Sequence, residues 1–583
     1  MAKRSRTFSV NLTTELIDKV VAALGERKDT WAHLPIQEKI GFLRGLRRRT
    51  GEVADRWVDA AVNAKGIPQG SPWAGEEWFS GPYAFLYGIN AIEKTLQALA
   101  HGRFPDLKRG AVRVRPDGQV VVQVFPADLY DRLLLSGVRA EVWMQREVTA
   151  GNLHSHMAGF YRQTSPKGKV ALVLGAGNIA SIAPLDLLHK LYVEGQVCIL
   201  KMNPVNDYLG PIFEEIFDDL IRRGFVRFAY GGAEVGSYLV GHPGIDEIHM
   251  TGNERTYDTI RFGSGAKGAE RKRCNDPVNR KRFTAELGGI GPTIVLPGPW
   301  SDADIQFQSE HIATQKLHNV GFNCVASQVL VLPASWSRKN QLVDTLRATI
   351  RSIPPRNAYY PGARIRQEEV IRAYPGAELL DAPGEGVIPR TLVAGVNTGT
   401  ASSYGFTEEF FCGALLQTVL PGDTPVKFLL EAVRFANGSL RGSLGANIIV
   451  HPATLSELGP QFEEAIADLR YGTIGVNGWV GVAFLLPQAT WGAFPGHADN
   501  DIQSGRGVVH NALQFDKPQR TVVYAPFEPF PRCLTKGRFS LLPKPPWFVT
   551  HRRADEVGRR LTRFAVDPGL LYLPGIFEAA RRG

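Results

Sequence analysis

The chain has 583 residues, more than one typical hydrophobic core holds, which predicts at least two domains. Its composition, 44% hydrophobic and 21% charged with five scattered cysteines, is typical of a globular protein in a reducing compartment and excludes a disulfide framework. The formal net charge of +10 comes from basic patches at residues 267–282 and 531–583, and because no recognised nucleic-acid-binding module accompanies them, we expect no nucleic acid partner.

The first hundred residues have a helical pattern, and a β-hairpin follows them. Apolar residues recur every three or four positions over residues 12–24, 36–49 and 51–63, the spacing of one helix face. Residues 112–124 alternate on either side of a Pro-Asp-Gly turn, which predicts two antiparallel strands. The basic N-terminus has no apolar signal core behind it, and no stretch approaches the roughly 18 apolar residues of a membrane span. We therefore expect a cytoplasmic protein.

From residue 168 the pattern changes to buried strands that alternate with helices. This alternation predicts a doubly wound parallel sheet. A second α/β segment, from residue 293 to about residue 475, repeats the rhythm. The predicted elements of the first segment are strands at 169–175, 197–201, 225–229 and 246–250 and helices at 181–193, 209–223 and 234–240.

Cys324 is the most informative residue for function. It lies in a small, polar, glycine-containing loop between a predicted helix at 301–318 and an apolar strand at 328–333. A free cysteine is most often a small buried hydrophobe, but at a helix–strand junction a thiol is accessible. Glu286 precedes it by 38 positions, beside a glycine pair. A thiol with a potential base, downstream of a βαβ pattern, predicts nucleophilic catalysis assisted by a nucleotide cofactor.

The first strand of the 168–250 segment ends in a glycine-rich loop. Gly175 and Gly177 open like a Rossmann phosphate loop, and Ala180 occupies the third glycine position, which that fingerprint tolerates. A single match of this kind is weak support for phosphate binding, so the residues alone leave the role of the loop open.

Six segments, taken in chain order, resemble motifs of the aldehyde dehydrogenase superfamily. The similarity covers about residues 30–525, and the order and spacing of the motifs make it stronger than any one of them. The resemblance implies an α/β fold of two doubly wound domains plus a small β oligomerisation element. The six segments are 168–208, 251–253, 285–289, 319–324, 407–411 and 472–477.

The resemblance also implies a division of the chain. The hairpin and a strand at 520–525 would form the oligomerisation element, which implies a homodimer or homotetramer. The expected parts are an N-terminal helical part of the cofactor-binding domain (1–110), an oligomerisation hairpin and connection (111–150), a Rossmann-like cofactor-binding domain (151–288), a catalytic domain (289–480), a return to the cofactor domain with the oligomerisation strand (481–526) and a basic extension rich in proline and aromatic residues (527–583).

Three residues receive catalytic roles from the resemblance. Cys324 would attack the aldehyde carbonyl to form a thiohemiacetal. The side-chain amide of Asn178 and the backbone amide of Cys324 would stabilise the alkoxide, which explains the glycine-rich loop better than phosphate binding does. After hydride transfer, Glu286 would activate the water that hydrolyses the thioester. No metal is expected in this site.

The resemblance likewise implies a nicotinamide cofactor. Lys201 would reach the adenosine ribose, Glu409 would hold the nicotinamide ribose and Phe411 would pack beside the ring. The family's NAD-favouring glutamate is Pro204 here, which makes NADP plausible beside NAD. The other residues expected to bind the cofactor are Gly232, Gly252 and Asn253.

Trp491, with Trp479 or Phe484, would form the wall of the substrate tunnel. These side chains favour a hydrophobic aldehyde, aliphatic or aromatic. The extension beyond residue 527 is expected to cover the tunnel of a neighbouring subunit in preference to touching a membrane, because its proline density prevents a long amphipathic helix.

Two other functions remain open at the level of sequence. A CoA-acylating relative would resolve the same thioester with a thiol, and the basic insert at 263–283 offers a site for CoA phosphates. Glu286 argues for hydrolysis, since acylating relatives commonly lack that carboxylate. A non-catalytic scaffold of the same fold is the second alternative, against which the joint presence of Cys324, Glu286, Asn178, Lys201 and Glu409 argues.

Overall fold

The structure is a computed structural model that describes residues 13–105, 107–382, 384, 386–399, 403–536 and 540–583. Residues 1–12 of the predicted N-terminal part and residues 537–539 of the extension lie outside the described residues. Among the described helices, none combines the length and apolar character that crossing a membrane requires. The helices are α1 Thr14–Ala32, α2 Ile36–Lys65, α3 Ala74–Trp78, α4 Ala84–Ala100, α5 Leu129–Leu134, α6 Ile182–Leu188, α7 Gly210–Ile216, α8 Asp218–Arg222, α9 Ala233–Gly241, α10 Glu254–Phe262, α11 Gly265–Cys274, α12 Asp302–Leu317, α13 Lys339–Ser352, α14 Ala363–Ala373, α15 Tyr404–Thr407, α16 Pro425–Ser439, α17 Pro452–Leu458, α18 Pro460–Asp468, α19 Gly481–Phe484, α20 Ala554–Val566 and α21 Leu573–Arg581. The strands are β1 Val112–Val114, β2 Val120–Phe125, β3 Arg139–Met144, β4 Val170–Leu174, β5 Val197–Lys201, β6 Val226–Ala229, β7 Glu247–Gly252, β8 Arg282–Leu287, β9 Gly291–Val295, β10 Ser327–Pro333, β11 Glu378–Leu379, β12 Thr391–Val393, β13 Ala414–Leu420, β14 Gly445–Ile449, β15 Thr473–Val476, β16 Thr490–Gly492, β17 Gly505–Arg506, β18 Val508–His510 and β19 Pro518–Tyr524.

A six-stranded sheet in the order β17-β8-β7-β4-β5-β6 carries the first α/β segment. β4 to β8 run parallel, and β17 pairs antiparallel with β8. Helices α1, α2 and α4 bury apolar side chains against this sheet, among them the inaccessible Trp31, Trp57 and Phe85. The helices predicted after β4 and β5 form as α6, α7 and α8. The doubly wound arrangement predicted from the sequence is therefore confirmed here.

The second sheet has eleven strands in the order β1-β2-β3-β19-β15-β14-β9-β10-β13-β12-β11. Its central strands, from β15 to β12, all run parallel, as expected for the segment that begins near residue 293. The strands of this sheet are almost wholly buried, because helices such as α12 and α16 cover its faces. The predicted fold class, two doubly wound α/β layers, is confirmed.

The predicted hairpin forms, with Val112 opposite Val122 and Val114 opposite Val120. It does not make a separate small sheet, because β19 pairs with β3 on one side and with β15 on the other and so joins the hairpin to the larger sheet. β19 has no free edge for a second copy of the chain; the edge strand at this end is β1. The homo-oligomer stays a prediction.

The two helices predicted at 36–49 and 51–63 are one continuous helix, α2. Gly51 does not end a helix but permits a close approach, since a Cβ there would lie 2.8 Å from the side chain of Val566 in α20. A glycine inside a helix costs about 1 kcal/mol relative to alanine. The prediction of two helices was wrong because no local sequence signal marks the contact of Gly51 with Val566.

The helices of the C-terminal extension pack on their own chain, and the expectation that the extension covers a neighbouring subunit's tunnel stays a prediction. α20 packs against α2, α3 and α4, and α21 packs against α20. Two glycines set the close contact of α20 with α3: a Cβ at Gly75 would lie 2.5 Å from the backbone of Ala554, and one at Gly558 would lie 2.4 Å from Cβ of Trp78.

The basic insert forms α11 and the approach to β8, and much of its charge is paired within the chain. Lys272 Nζ lies 2.6 Å from Asp258 Oδ2, and Arg280 pairs with Asp276 at 2.9 Å. Lys281 Nζ donates to the backbone carbonyl of Val240 at 3.0 Å. Because these basic groups are paired within the chain, the insert has less positive charge with which to bind the phosphate groups of a ligand.

Candidate active site

Cys324 lies between α12 and β10, as predicted, in a loop with an unusual backbone. Asn319, Val320 and Gly321 have φ values of 53°, 60° and 81°, so three successive residues are left-handed. Asparagine and glycine tolerate this region, but a β-branched residue such as Val320 is an outlier, and each such residue costs about 1–3 kcal/mol. A Cβ at Gly321 would lie 2.6 Å from the carbonyl oxygen of Cys412, so only glycine fits there.

A buried polar network holds this loop, and the sequence reading missed it. Lys65, at the end of α2, pairs with Glu77 at 2.7 Å, and both side chains are at most 4% exposed. Lys65 Nζ also donates to the carbonyl of Asn178 at 3.1 Å and to Asn319 Oδ1 at 3.3 Å. The backbone N–H of Asn319 donates to Glu76 Oε2 at 3.1 Å. The network thereby fixes the glycine-rich loop and the nucleophile loop against each other.

Replacing Lys65 by methionine is expected to lower the free energy of unfolding by about 3–5 kcal/mol, because Glu77 would keep its charge without a partner in the interior. Chemical denaturation measures the change. The matched control is Arg48→Met, which breaks an exposed pair with Glu52 at 2.8 Å and should cost less than about 1 kcal/mol. Equal losses in the two variants would show that the Lys65 pair does not stabilise the loop.

Glu286 lies next to Cys324. It is the penultimate residue of β8, and its Oε1 is 3.8 Å from Cys324 Sγ. The indole N–H of Trp491 donates to the same oxygen at 2.6 Å, while Oε2 is buried without a hydrogen-bond partner among the described residues. One carboxylate oxygen is therefore fixed, and the other is open to a water molecule.

Burial shifts the pKa values of both groups. The pKa of Glu286 is raised to about 8, first by burial and then by the negative charge of Asp186, while the hydrogen bond from Trp491 opposes the rise. Burial, followed by the charges of Glu286 and Glu409, raises the pKa of the Cys324 thiol well above its usual range. The thiol is thus protonated near neutral pH, and Glu286 lies where it can accept that proton.

Asn178 lies beside the nucleophile loop, after β4. Its side-chain amide donates to the carbonyl of Phe322 at 3.1 Å, two residues before Cys324. This bond uses one of the two amide protons. The backbone carbonyl of Asn178 accepts hydrogen bonds from Asn319 Nδ2 at 3.1 Å and from the hydroxyl of Tyr359 at 3.0 Å.

A cavity opens at Cys324, and all three residues predicted for the substrate tunnel line it. Trp491 and Phe484 pack edge to face with ring centroids 5.5 Å apart, and Trp479 packs on His318 at 4.7 Å. His318 was not predicted; burial lowers its pKa, so that the ring is neutral near pH 7. The other lining residues are mostly apolar and include Phe79, Ile179, Ile182, Val325, Val482, Leu485 and Trp547.

The residues predicted to bind the cofactor lie at the carboxyl ends of parallel strands. Lys201 ends β5 and Gly252 ends β7, in the same sheet as Glu286. Gly232 precedes α9, where an added Cβ would meet nothing within 4 Å. Asn253 has a local role that was not predicted, since its side chain caps α10 by accepting from the backbone of Thr256 at 2.9 Å.

Glu409 and Phe411 lie near the nucleophile loop. The carboxylate of Glu409 accepts from the backbone N–H of Gly289, and burial raises its pKa to about 7, an effect that Lys316 opposes. A Cβ at Gly288 would lie 2.3 Å from this carboxylate, so the lack of a side chain at Gly288 makes room for it. Phe411 packs against Phe322 of the loop with ring centroids 6.0 Å apart.

Comparison with known proteins agrees with this geometry. The family model for the aldehyde dehydrogenase family matches residues 144–370, a range that includes both Cys324 and Glu286. This part of the chain is similar to the aldehyde dehydrogenase family. Glu409, Trp491 and the C-terminal helices lie beyond the matched range.

Similar proteins include aldehyde dehydrogenase LUC3 from Fusarium, 30% identical over 169 residues, which are 29% of this chain and 32% of the relative. The matched segments thus span about a third of the length of the curated relatives. Two solved structures share the aldehyde dehydrogenase fold at 18% identity: NADP-dependent glyceraldehyde-3-phosphate dehydrogenase from Bacillus halodurans with NADP (TM-score 0.58, 88% of this chain and 91% of the other), and a mutant of aldehyde dehydrogenase C from Pseudomonas syringae with NAD+ and octanal (TM-score 0.56, 89% and 90%). At this level of identity the structures establish the fold alone.

Proposed function

We propose that the protein oxidises an aldehyde to its carboxylic acid with a nicotinamide cofactor. The observation that carries the proposal is the pair of Cys324 and Glu286, with Sγ and Oε1 3.8 Å apart and Cys324 lining an apolar cavity. A nucleophile beside a buried base with a raised pKa is the arrangement that acyl transfer requires. The match of residues 144–370 to the aldehyde dehydrogenase family model gives independent support.

The reaction has two stages, formation of a thioester on Cys324 and its hydrolysis. Cys324 loses its proton to Glu286 and its sulfur bonds to the carbonyl carbon, while the amide of Asn178 and the backbone N–H of Cys324 stabilise the oxyanion. Lys201 and Glu409 would hold a nicotinamide cofactor, which would supply the hydride acceptor; loss of the hydride from that carbon would leave a thioester on Cys324. Glu286 releases the first proton to solvent and then takes a proton from water as the water oxygen attacks the thioester. It returns this proton to the departing sulfur, so release of the acid restores the thiol.

The residues at the strand ends fit a dinucleotide. Lys201 is 8% exposed, and burial lowers its pKa; within the described residues it forms no salt bridge. A lysine so placed suits ribose hydroxyls or a 2′-phosphate, and the carboxylate of Glu409 suits the hydroxyls of the second ribose. Lys201 lies at the carboxyl end of β5, the place where doubly wound folds bind their ligands, and Glu409 lies between α15 and β13.

We infer a preference for NAD over NADP. Pro204 removes the carboxylate expected three residues after Lys201, but Asp207 supplies one: its negative charge acts on Lys201, and the charge of Lys201 acts on Asp207. A carboxylate at this place accepts hydrogen bonds from ribose hydroxyls and repels a 2′-phosphate.

Replacing Asp207 by serine is expected to raise the ratio of kcat/KM for NADP to kcat/KM for NAD by about tenfold. The change removes one partly screened negative charge near the 2′-phosphate, an effect of about 1.4 kcal/mol. Steady-state rates with each cofactor at one aldehyde concentration measure the ratio. The control is Asp207→Glu, which keeps the charge and should stay near the original ratio. A ratio that is the same in all three proteins would disprove the role of Asp207.

The pH dependence of kcat is expected to rise through about pH 8, because Glu286 must be ionised to accept a proton. Asp186→Asn removes the charge that raises the pKa of Glu286, so the midpoint should move to lower pH. Trp491→Phe removes the hydrogen bond that lowers this pKa, so the midpoint should move to higher pH. Rates between pH 6 and 10 test both shifts, and movement in the same direction would exclude Glu286 as the titrating group.

The CoA-acylating reaction is the second candidate. The basic insert was the sequence feature that favoured this reaction. In the structure, Lys272 and Arg280 of the insert pair with carboxylates of the same chain, and Lys281 donates to a backbone carbonyl. The carboxylate of Glu286, buried with one open oxygen beside the thiol, favours water as the acceptor. A non-catalytic scaffold does not explain why the carboxyl group of Glu286 is buried beside the thiol, since burial of such a group costs free energy.

The deciding experiment is nicotinamide reduction by the purified protein, followed at 340 nm with NAD or NADP and an aldehyde, with and without CoA. Turnover without CoA, with the free acid as product by mass spectrometry, is expected. Turnover that requires CoA and gives a thioester product would establish the acylating reaction instead. No turnover with aliphatic or aromatic aldehydes would contradict both reactions.

A further inference from the structure

The connection between α13 and α14, residues 353–362, lies outside every motif that the sequence analysis used, yet it contacts both loops of the candidate active site. Pro354, Pro355 and Pro361 stand within it. Because the ring of each proline fixes φ, the connection has fewer conformations to lose on folding than a loop without proline. Its side chains therefore project from a restrained backbone.

Arg356 ties the connection to α3 and to the nucleophile loop. Its Nη1 donates to both carboxylate oxygens of Glu76, at 2.8 and 2.9 Å, and the two side chains are 9% and 7% exposed. Glu76 Oε2 also accepts from the backbone N–H of Asn319 at 3.1 Å. One buried carboxylate is thus shared by the connection and the loop that carries Cys324.

The hydroxyl of Tyr359 bridges the two loops of the site. It lies 3.0 Å from the backbone carbonyl oxygen of Asn178 and 3.1 Å from Asn319 Oδ1. A hydroxyl has one proton, so it donates to one of these acceptors at a time and keeps both within reach. Burial, followed by the negative charge of Glu77, raises the pKa of Tyr359 well above its usual range, so the hydroxyl keeps this proton near neutral pH.

The ring of Tyr359 makes two further contacts. It packs edge to face on Phe322 with ring centroids 5.2 Å apart, and Lys65 Nζ lies 5.1 Å from its centre, where a cation is attracted to the ring. The carbonyl of Phe322, two residues before Cys324, accepts from the side-chain amide of Asn178 at 3.1 Å. Tyr359 therefore contacts both partners of the bond that orients the expected oxyanion donor.

Loss of the Tyr359 hydroxyl leaves no acceptor unpaired. The carbonyl of Asn178 still accepts from Lys65 and from Asn319 Nδ2, and Asn319 Oδ1 still accepts from Lys65. What the hydroxyl adds is restraint, since a carbonyl oxygen held from three elements has less freedom to move than one held from two. Oxyanion donors need such restraint, because a displacement of about 0.5 Å decides whether they reach the developing charge.

We propose that Tyr359 is a positioning residue for oxyanion stabilisation. Its hydroxyl and ring hold Asn178 and the nucleophile loop at the spacing in which the side-chain amide of Asn178 and the backbone N–H of Cys324 converge on the carbonyl oxygen of the substrate. The proposal rests on the proposed function and adds a residue that acts through Asn178.

Tyr359→Phe, which removes only the hydroxyl, is expected to lower kcat about tenfold, the effect of one hydrogen bond, and to change KM for NAD less than twofold. A residue that served the fold alone would not separate the two constants in this way. The control is Tyr238→Phe, which removes an exposed hydroxyl that donates to Asp18 at 2.6 Å and should change neither constant. Circular dichroism checks the fold of both variants.

A double-mutant cycle tests whether Tyr359 acts through Asn178. In the Asn178→Ala background the donor that Tyr359 positions is absent, so Tyr359→Phe should lower kcat less than twofold further. A full tenfold loss in that background would overturn the proposal, and so would a wild-type kcat in the single variant Tyr359→Phe.

A second measurement needs neither an aldehyde nor a cofactor. 4-Nitrophenyl acetate transfers its acetyl group to Cys324 Sγ while the thiol proton passes to Glu286, and the nitrophenolate released is followed by its absorbance. Tyr359→Phe should slow this release about tenfold, and Cys324→Ala should abolish it. If no aldehyde is oxidised but the ester acylates Cys324 and Tyr359→Phe slows that step, the proposed function fails and the role of Tyr359 stands. Equal acylation rates in Tyr359→Phe and wild type would overturn that role.

Discussion

Cys324→Ala is expected to lower kcat/KM for aldehyde oxidation by roughly 10⁴- to 10⁶-fold. Among the described residues that line the cavity, Cys324 is the only thiol, so no second thiol can form the covalent intermediate in its place. The fold should persist, because the loop is held by Lys65, Glu76 and Asn319, and the sulfur makes only weak contacts at 3.8 Å. Steady-state rates measure the loss, and far-ultraviolet circular dichroism checks the fold.

The matched control is Cys274→Ala. Cys274 is exposed at the end of α11, so its removal should change kcat/KM by less than twofold. Residual activity above one hundredth of wild type in Cys324→Ala would show that the thiol is not the nucleophile. Equal losses in both variants would point to general damage and would contradict the assignment as well.

Alkylation gives a second measure of the same thiol. Because the pKa of Cys324 is raised by burial and by two carboxylates, iodoacetamide should label it more slowly than Cys274 at pH 7. Labelling of Cys324 should accelerate as the pH rises, and peptide mass spectrometry separates the two sites. A Cys324 that stays unlabelled even at high pH would favour the scaffold alternative.

The sequence predicted the two reacting groups because each carries a local signal. Cys324 stands in a loop of distinctive composition, and Glu286 precedes a glycine pair, of which Gly288 makes room for Glu409. Their partners carry no such signal. Trp491 donates to Glu286 across 205 positions, and Lys65 reaches Asn319 across 254, so only the tertiary fold brings them together.

One error has a clear physical origin. The sequence pattern was divided at residue 50, between 36–49 and 51–63, because the contact of α2 with α20 that Gly51 permits joins residues more than five hundred positions apart. A glycine that serves a turn and a glycine that serves a helix contact are identical in sequence. The hairpin was predicted from its turn, yet its membership of the larger sheet depends on β19, which pairs on both sides.

Glu286→Gln is expected to lower steady-state kcat by roughly 10²- to 10⁴-fold, the usual contribution of a general base. Glutamine keeps an oxygen for the indole N–H of Trp491, so the position of the side chain is preserved while its basicity is lost. Hydrolysis of the thioester should therefore become the slow step. Rapid mixing should show a burst of reduced nicotinamide close to one equivalent of enzyme, followed by a slow phase.

The burst separates the two roles that the 3.8 Å contact gives to Glu286. If the carboxylate also deprotonates Cys324, the burst itself should slow at neutral pH and recover at high pH, where the thiol ionises without help. The slow phase should instead recover on addition of hydroxylamine, a strong nucleophile that cleaves the thioester without a base. Trp491→Phe, which keeps the carboxylate, should retain wild-type kinetics above its shifted pKa. If Glu286→Gln showed no burst and a normal kcat, Glu286 would have no part in the mechanism. Hydrolysis would then need another base, and the candidate that lines the cavity is His318, whose ring is neutral near pH 7.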